Sequence, residues 1–289
     1  MKRCAFLTMD NLDGFVSDDE LAIEPLSALG WHTELVSWRQ TAVPWSSFDA
    51  VVIRTTWDYQ NDVQTFLAVL AEIDRTTRLE NSLSVVRWNM HKRYLRDLEQ
   101  QGIGIVPTLW GERLSRERLR TLFAELQVDE VVIKPAIGAN ADDTFRLARS
   151  ASGEVFAEVE GVFKNRAFMA QPFMPGIVEE GEFSLFFFNG EYSHAIIKSP
   201  KVEDFRVQEE HGGLIQAVDA EAPLVQCAEK AIGVIDPLPL YARIDLVRSA
   251  ANDFVVMELE LIEPSLYLRM DANAPVRFAE AIDQRFRGN

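Results

Sequence analysis

Cysteine and histidine are scarce in this chain of 289 residues, which contains two cysteines and four histidines. Cys4 and Cys227 are far apart in the sequence and have no metal-type spacing, and His32, His91 and His194 form no cluster. These absences exclude a zinc site built from cysteine and histidine. We expect both thiols to be reduced, in the core or near the surface.

Long hydrophobic runs and an excess of basic residues are also lacking. Only a short apolar stretch follows Met1-Lys2-Arg3, which does not resemble a signal peptide, and no run approaches the length of a transmembrane span. The net charge of −16 and the pI of about 4.7 argue against nucleic acid or an anionic membrane as a partner. We therefore expect a cytoplasmic protein that binds anionic ligands only through locally placed arginines and lysines.

Apolar residues make up 47% of the chain, which is enough for a large core that we expect to be divided into two or three subdomains. Up to about residue 88, strand and helix patterns alternate. The strand candidates are residues 4–9, 33–38 and 50–54, and the helix candidates are a segment that ends at Gly30 and residues 63–73. This alternation predicts a small parallel α/β layer.

The stretch from Tyr241 to Leu268 contains two strand-like runs around residues 250–253, which predicts a hairpin. If Ala251 and Asn252 form a two-residue turn, the register is fixed and charged residues share one face. The expected opposite pairs are Asp245 with Glu258 and Arg243 with Glu260. The other face is expected to be apolar, and it comprises Ile244, Leu246, Met257, Leu259 and Leu261.

Carboxylates held opposite each other across two strands repel unless a cation lies between them. Asp245, Glu258 and Glu260 therefore favour a hard divalent cation, Mg²⁺ or Mn²⁺ in its place. An open site of this kind usually also holds substrate phosphates. The alternative is a solvated acidic face on which Arg243 pairs with Glu260.

A second candidate site is Arg54-Thr55-Thr56-Trp57-Asp58-Tyr59, which directly follows the strand candidate 50–53. Ligands of open α/β sheets bind beyond the carboxyl ends of the strands. This segment is thus a candidate substrate wall that includes Thr55, with Arg54 for a carboxylate and Asp58 for an ammonium group. The alternative is a structural turn in which Trp57 is packed and Arg54 pairs with Asp58.

Two lysines lie where they could bind phosphates. We expect Asn89 to cap a helix that runs through Gln101 and carries Lys92 in its first turn. A lysine in a first turn opposes the helix dipole, and a nearby phosphate would account for it. Lys134 ends the strand candidate 130–135 and precedes a loop of small residues whose amides could cover phosphates. The P-loop motif is absent, so ordinary surface lysines are the alternative.

Residues 168–213 contain the remaining candidates. The strand candidate Phe168–Phe173 carries Gln171, which can accept a hydrogen bond from an adenine amino group, and Glu182 can bind ribose hydroxyls. Lys198 and Arg206 are the best anion-binding candidates at the polar loop 199–213, and His211 is a catalytic candidate there. The alternative is a strand meander with solvated carboxylates.

Together these segments resemble the ATP-grasp superfamily along nearly the whole chain. The most specific element is Arg243-Ile244-Asp245 followed by Glu258-Leu259-Glu260. It is similar to the Arg-x-Asp and Glu-x-Asn metal motifs of D-alanine–D-alanine ligases, glutathione synthetases and ribosomal-protein glutamate ligases, although Glu260 replaces the common asparagine. The resemblance implies an α/β (α+β) ATP-grasp fold with an N-terminal domain at 1–88 and an ATP-grasp domain at 89–289. The latter would contain a lid-like subdomain at about 130–172 and a metal-binding subdomain at about 173–289.

The resemblance also implies roles for the candidate residues. The nucleotide-binding residues would be Lys92 and Lys134 at the ATP phosphates, Gln171 and the backbone near Phe173 and Met174 at the adenine, Glu182 at the ribose, and Lys198 as a further anion-binding side chain. The Mg²⁺ ligands would be Asp245, Glu258 and Glu260. Arg206, near the transferred phosphate, and Arg243, beside the metal, would be catalytic.

A narrower similarity links the chain to the subgroup that contains the O-ureido-serine cyclo-ligase of cycloserine biosynthesis. The segments that carry it are 54–59, 87–89, 134–136 with 140–145, and 257–268. The implied activity is ATP-dependent amide formation through an acyl phosphate on a small amino-acid-like substrate, with intramolecular ring closure as one form. The alternatives are an intermolecular amino-acid or peptide ligase, a nucleotide-binding regulatory protein without turnover, and a small-molecule kinase. Self-association among relatives also allows a homodimer.

Overall fold

The computed structural model describes residues 1–138, 141–201, 204–209 and 212–287, and the elements given below belong to these residues. Their strands form three sheets. His211, the catalytic candidate of the polar loop, and Ala139 and Asn140 of the small-residue loop lie outside the described residues. Among the described helices, none is long and apolar enough to cross a membrane.

The N-terminal sheet is parallel, with the strand order β2-β1-β3-β4. Its elements are β1 (Lys2–Thr8), α1 (Ile23–Ala28), β2 (Trp31–Ser37), β3 (Ala50–Thr55), α2 (Val63–Thr76) and β4 (Arg78–Glu80). The predicted parallel α/β layer is confirmed. Gly30 ends the α1 segment with a φ of +88°, a left-handed conformation that favours glycine after a helix.

Two short helices, α3 (Leu83–Asn89) and α4 (Tyr94–Gln100), connect this sheet to the rest of the chain. The predicted single helix capped by Asn89 is therefore wrong. The Asn89 side chain instead donates to the carbonyl of Leu259 and accepts from the amide of Leu261, each at 2.9 Å. Lys92 lies between the two helices, where its amide donates to the Ala136 carbonyl at 2.8 Å.

The second sheet is antiparallel and has the order β5-β8-β6-β7. Its elements are β5 (Leu109–Gly111), α5 (Arg116–Glu125), β6 (Glu130–Pro135), β7 (Phe145–Ala148), α6 (Gly153–Phe163) and β8 (Phe168–Pro172). A separate core beneath it contains Phe123, Phe163 and Phe168. Because β5 belongs to this sheet, the lid-like unit extends further towards the N-terminus than the expected start at about residue 130.

The third sheet is antiparallel and has the order β11-β10-β9-β12-β13. Its part of the chain comprises α7 (Gly176–Glu179), β9 (Glu182–Phe188), β10 (Glu191–Ser199), β11 (Leu214–Val218), α8 (Ala222–Ile232), β12 (Tyr241–Arg248), β13 (Phe254–Glu260) and α9 (Ala274–Phe286). The predicted Asn189-Gly190 turn joins β9 and β10, and both residues have positive φ angles, as the common two-residue hairpin turn requires. Phe6 and Tyr241 pack with Phe278 of α9 in one core, so the N-terminal and third sheets share apolar packing.

The β12–β13 hairpin has the predicted pairs at its charged end: Asp245 opposite Glu258 and Arg243 opposite Glu260. The predicted two-residue turn is wrong, because the amide of Ser249 donates to the Asp253 carbonyl at 2.8 Å and three residues separate them. A β-bulge beside Asp245 compensates for the longer turn.

Met257 is the extra residue of this bulge, since Asp245 pairs with Glu258 while Leu246 pairs with Val256. Its side chain lines the cleft on the charged face, which corrects the prediction that Met257 belongs to the apolar face. The other predicted members of that face are confirmed as core residues: Ile244, Leu246, Leu259 and Leu261.

Candidate active site

One cleft is lined by residues from the second and third sheets, by Trp57 and Tyr59 just after β3 of the N-terminal sheet, and by residues of the connections. Most of the predicted site residues lie in its wall. They are Lys92, Lys134, Gln171, Met174, Glu182, Lys198, Arg206, Arg243, Glu258 and Glu260. The structure thus brings together side chains that are up to 168 positions apart in the sequence, as Lys92 and Glu260 are.

Asp245 does not itself line the cleft and is buried behind its wall, where it contacts two cations that do line it, Arg243 and Lys198. Arg243 Nη2 is 3.0 Å and Lys198 Nζ is 3.4 Å from its carboxylate, and Ser184 Oγ donates to it at 2.5 Å. Burial raises the pKa of Asp245, but the charges of Arg243 and Lys198 outweigh burial and hold that pKa below its usual range. Asp245 is therefore an ionised, fixed oxygen donor. Sequence reasoning missed Ser184, which faces Asp245 from β9.

Glu258 faces two lysines that come from different parts of the fold. Lys92 Nζ forms a hydrogen-bonded ion pair with it, and Lys134 Nζ lies 3.6 Å from its second oxygen. Against the effect of burial, these two charges lower the pKa of Glu258 to about 2. Burial lowers the pKa of Lys134, whereas Glu258 raises that of Lys92 in spite of burial. Two ammonium groups converge on one carboxylate, and such a pair of cations suits a polyphosphate.

Glu260 completes the predicted acidic set, and its carboxylate pairs with Arg243. This is the pairing foreseen for a solvated acidic face, but Arg243 is only 9% exposed, and Glu258 and Glu260 are only partly exposed in the wall of the cleft. Burial raises the pKa of Glu260 to about 7, with the nearby charges of Asp245 and Glu258 adding to the effect of burial and Arg243 opposing it. A further bound cation would relieve this crowding of negative charge.

The donor chemistry of Asp245, Glu258 and Glu260 fits Mg²⁺, which prefers oxygen ligands and keeps several waters. Within residues 1–138, 141–201, 204–209 and 212–287, however, no three His, Cys, Asp or Glu side chains are placed to hold a metal as they stand. Each carboxylate is occupied by a lysine or an arginine instead. Ion binding would require Glu258 and Glu260 to exchange these partners.

The predicted nucleotide end of the cleft contains Gln171, whose side chain donates to Thr108 Oγ1 at 3.0 Å, and Met174. Glu182 pairs with Lys198 at 2.5 Å, which leaves its second oxygen for another donor. Phe173 does not line the cleft: its amide donates to the Glu130 carbonyl and its ring lies under the guanidinium of Arg146. The Phe173 amide is thus already engaged, and the predicted adenine contact of the backbone near Phe173 and Met174 is left to the other backbone groups there, next to Met174, which lines the cleft.

Arg206 borders the cleft from the polar loop. Its guanidinium pairs with Asp204 at 2.9 Å, and the amides of Phe205 and Arg206 donate to the same carboxylate. The Arg206 hydrogen bonds lower the pKa of Asp204, so the loop carries an ion pair beside the cleft. Arg206 is partly exposed and can turn towards a bound anion.

Arg54, Thr55 and Asp58 do not line the cleft, which corrects their prediction as a substrate wall. The guanidinium of Arg54 is buried, where Nε donates to Asp19 at 3.0 Å and Nη2 to the Pro264 carbonyl at 2.9 Å. Thr55 Oγ1 donates to Thr8, and the Asp58 carboxylate accepts from Trp38 and Arg39. The alternative pairing of Arg54 with Asp58 is also wrong, since Asp19 takes that place.

The aromatic residues of the same segment do reach the cleft. Trp57 and Tyr59 line it, and Trp57 Nε1 donates to the carbonyl of Glu263 at 2.8 Å. Glu263 is a cleft residue that sequence reasoning missed. Burial raises its pKa to about 8, and Glu260 adds to the effect of burial. An acid directly before Pro264, inside the apolar run from Leu259 to Leu268, was the signal that could have found it.

Comparisons with known proteins agree with this geometry. Residues 4–81 match the family described as the N-terminal domain of D-cycloserine synthetase DcsG. Over 280 residues the chain is 32% identical to the cycloserine biosynthesis protein DcsG of Streptomyces lavendulae, with 92% of each protein covered. The crystal structure of D-cycloserine synthetase DcsG matches with a TM-score of 0.86 at 30% identity, covering 99% of this chain and 100% of that one.

A more distant solved structure has the same fold. The ATP-grasp ligase PsnB, in complex with a phosphomimetic variant of its minimal precursor, Mg and ADP, matches with a TM-score of 0.67 at 15% identity and covers 98% of both chains. The ATP-grasp fold predicted from the sequence is thereby confirmed. Since its identity to DcsG extends over nearly the whole chain, the protein belongs to the DcsG family and is an ATP-grasp ligase.

Proposed function

We propose that the protein transfers the γ-phosphoryl group of ATP to the carboxylate of a small amino-acid-like substrate, and that a nitrogen then displaces phosphate to give an amide. The observation that carries this proposal is the convergence of Lys92 and Lys134 on Glu258, next to Asp245 and Glu260. Cations for phosphates and oxygen donors for Mg²⁺ occupy adjacent positions in one cleft. Phosphoryl transfer needs this combination because its catalysis consists mainly of positioning and charge neutralisation.

Asp245, Glu258 and Glu260 would hold Mg²⁺ or Mn²⁺. When bound, this ion would neutralise charge on the phosphates. Lys92 and Lys134 would transfer their contacts from Glu258 to the phosphates, which frees the carboxylate as a ligand. Ser184 and Arg243 keep Asp245 in place during this exchange, since both bond to it from the sheet.

The adenosine would lie at the opposite end of the cleft. Gln171 is buried there beside Met174, and Glu182 is held by Lys198 with one oxygen available for ribose hydroxyls. Lys198 bridges Glu182 and Asp245, so it links the proposed ribose end to the proposed metal end. This bridge supports a single continuous ligand that spans both ends.

Arg206 and Arg243 are the proposed catalytic cations. Arg206 would turn from Asp204 towards the transferred phosphoryl group, and Arg243 would stabilise the oxyanion that forms as nitrogen attacks the acyl phosphate. No covalent nucleophile is required. Buried Cys4, with its pKa raised by burial, lies in the packing between the N-terminal sheet and α9.

The family relationship supports ring closure within one molecule as the form of this reaction, with O-ureido-serine as the first substrate to test. An intermolecular amino-acid ligase would use the same activating residues. The product separates the two: a ring contains one amino-acid unit, whereas a dipeptide-like amide contains two.

The test is incubation of the purified protein with Mg-ATP, hydroxylamine and a panel of amino acids that includes O-ureido-serine, with measurement of ADP, hydroxamate and product mass. Hydroxamate that forms with one carboxylate supports the acyl phosphate and identifies the activated substrate. A stable phosphoester without inorganic phosphate would overturn the proposal in favour of a kinase. Absence of ADP with every amino acid would overturn it in favour of a nucleotide-binding protein without turnover.

A further inference from the structure

Glu263 differs from the other buried or partly buried acidic residues in the wall of the cleft. Glu182, Glu258 and Glu260 each contact a lysine or an arginine. The Glu263 carboxylate forms no ion pair with any residue that the structure describes. A carboxylate that is partly withdrawn from water without a cationic partner is unfavourable unless a ligand supplies the cation.

The backbone around Glu263 is fixed by side chains from other parts of the fold. Three successive carbonyls accept hydrogen bonds: Ile262 lies 2.8 Å from the Tyr241 hydroxyl, Glu263 accepts from Trp57 Nε1 at 2.8 Å, and Pro264 accepts from Arg54 Nη2 at 2.9 Å. These hydrogen bonds fix the backbone of residues 262–264. The backbone that carries the Glu263 side chain into the wall of the cleft is therefore held in place, although the carboxylate has no ion-pair partner among the described residues.

The position of Glu263 separates it from the proposed metal ligands. The β12–β13 ladder ends at the pair of Arg243 and Glu260, and Glu263 follows it on the side bordered by Trp57 and Tyr59. Glu258, in contrast, lies beside the two lysines that suit phosphates. Glu263 thus lies where the non-nucleotide substrate would bind, next to aromatic rings that also favour a compact cation.

We propose that Glu263 binds the ammonium group of the amino-acid substrate and is the main determinant of selectivity for α-amino acids over simple carboxylic acids. This inference rests on the proposed function, because it requires an amino acid as the acceptor of the phosphoryl group. Trp57 and Arg54 are positioning residues that act through the backbone carbonyls of Glu263 and Pro264, respectively. The segment Arg54–Tyr59 therefore contributes to substrate binding indirectly, and not through the side chains of Arg54 and Asp58.

The test compares E263Q, which keeps the shape but removes the charge, with E263D, which keeps the charge. Each variant and the wild type are assayed for ADP release with the amino-acid substrate and with its desamino analogue, in which hydrogen replaces the α-amino group. E191Q, which removes an exposed carboxylate outside the cleft, is the matched control. The KM for ATP and the half-saturating Mg²⁺ concentration are measured in parallel.

The expected result is that E263Q raises the KM for the amino acid at least about tenfold, a loss of about 1.4 kcal/mol. The KM for ATP and the half-saturating Mg²⁺ concentration of E263Q should stay within about twofold of the wild-type values, as expected for a residue that contacts only the amino acid. The desamino analogue should bind wild type and E263Q equally, and E263D should restore part of the affinity. In the wild type itself, removal of the amino group should raise the KM about tenfold.

Several outcomes would overturn the inference. An equal loss for both substrates, or a shifted Mg²⁺ requirement in E263Q, would mean that Glu263 serves the metal or the fold. If E263Q does not fold, equal affinity of the wild type for the amino acid and the desamino analogue excludes an ammonium site. If the wild type turns over the amino acid and E263Q has the same KM for it, only the ammonium site is refuted. If the wild type uses no amino acid, the proposed function and the ammonium site are refuted together.

Discussion

Asp245 and Glu258 face each other across β12 and β13, yet each carboxylate is neutralised by lysines from other elements. Lys198 of β10 lies 3.4 Å from Asp245, whereas Lys92 and Lys134 approach Glu258 from the connection between α3 and α4 and from β6. The sheet that carries the two carboxylates also supplies the cations of Asp245, Lys198 and Arg243, whereas the lysines of Glu258 come from outside this sheet. Ligand binding can exchange these internal pairs for contacts to phosphate and metal.

We expect E258Q to reduce ADP formation at least about 100-fold, because it removes a proposed metal ligand where charge develops in the transition state. Binding of ATP without Mg²⁺ should be unchanged or tighter, since Lys92 and Lys134 lose their competing carboxylate. ADP release and calorimetric ATP binding with and without Mg²⁺ measure the two effects. E191Q is the control for loss of one negative charge, and full turnover by E258Q would refute the metal role.

Substitution of Lys134 tests whether this lysine exchanges its contact with Glu258 for a contact with the ATP phosphates. Lys134 is partly buried near the end of β6, beside Glu258, and K134M removes its charge at similar length. We expect ATP binding to weaken at least about tenfold, as for loss of a charge-assisted contact, while the KM for the amino acid stays within about twofold. K134R, which keeps a cation, should bind ATP more tightly than K134M. Equal ATP affinity of K134M and wild type would contradict the phosphate role.

The charged end of the hairpin was predictable because strand alternation alone places Arg243, Asp245, Glu258 and Glu260 on one face. The position of Met257 was not. An extra turn residue and a β-bulge cancel each other, so the pairs at the charged end agree with the two-residue turn although the turn itself is wrong. The pairs between these two irregularities are shifted by one residue, as the pairing of Leu246 with Val256 shows, and Met257 at the bulge lies on the opposite face from the one predicted.

Arg54 shows why the rest of the site could not be derived from the sequence. Nearby Asp58 suggested a local ion pair, but the actual partners are Asp19 and Pro264, which are 35 and 210 positions away. Long-range partners of a buried cation leave no local pattern. Glu263 was overlooked for the same reason, because its sequence neighbours do not reveal that its carboxylate has no ion-pair partner among the described residues.

The buried pair of Arg54 and Asp19 leads to a prediction about stability. R54M should lower the free energy of unfolding by about 3 kcal/mol, because it leaves a buried carboxylate without its cation. The double variant D19N/R54M should recover part of this loss, since both charges are then removed. Urea unfolding of the two variants and the wild type measures the effect. Unchanged stability of R54M would contradict the structural role assigned to this buried ion pair.

His194 predicts how stability depends on pH. Its ring is stacked on Phe186 with centroids 4.3 Å apart, and its Nε2 lies 3.0 Å from the Leu266 carbonyl, so Nε2 carries a proton. Nδ1 lies 2.9 Å from Ser193 Oγ, and that oxygen also accepts from Arg277 Nε, so the Ser193 hydroxyl proton is available for Nδ1. The Ser193 contact favours the neutral ring, and burial lowers the pKa of His194 to about 4 although the Leu266 carbonyl opposes this shift.

In the unfolded chain histidine has a pKa of about 6.5. Above that pH, His194 is neutral in both the folded and the unfolded state, so its contribution to stability does not change with pH. Between about pH 6.5 and 4 the unfolded state binds the proton and the folded state does not, so stability falls with decreasing pH, by about 3 kcal/mol at most.

Urea unfolding of wild type and H194Q between pH 4 and 8 measures this dependence. H194Q should be less stable at pH 8 but should lose less stability on acidification, whereas H32Q, which replaces an exposed histidine, should retain the wild-type slope. The same slope in H194Q as in the wild type would mean that another buried group controls the acid limit of the fold.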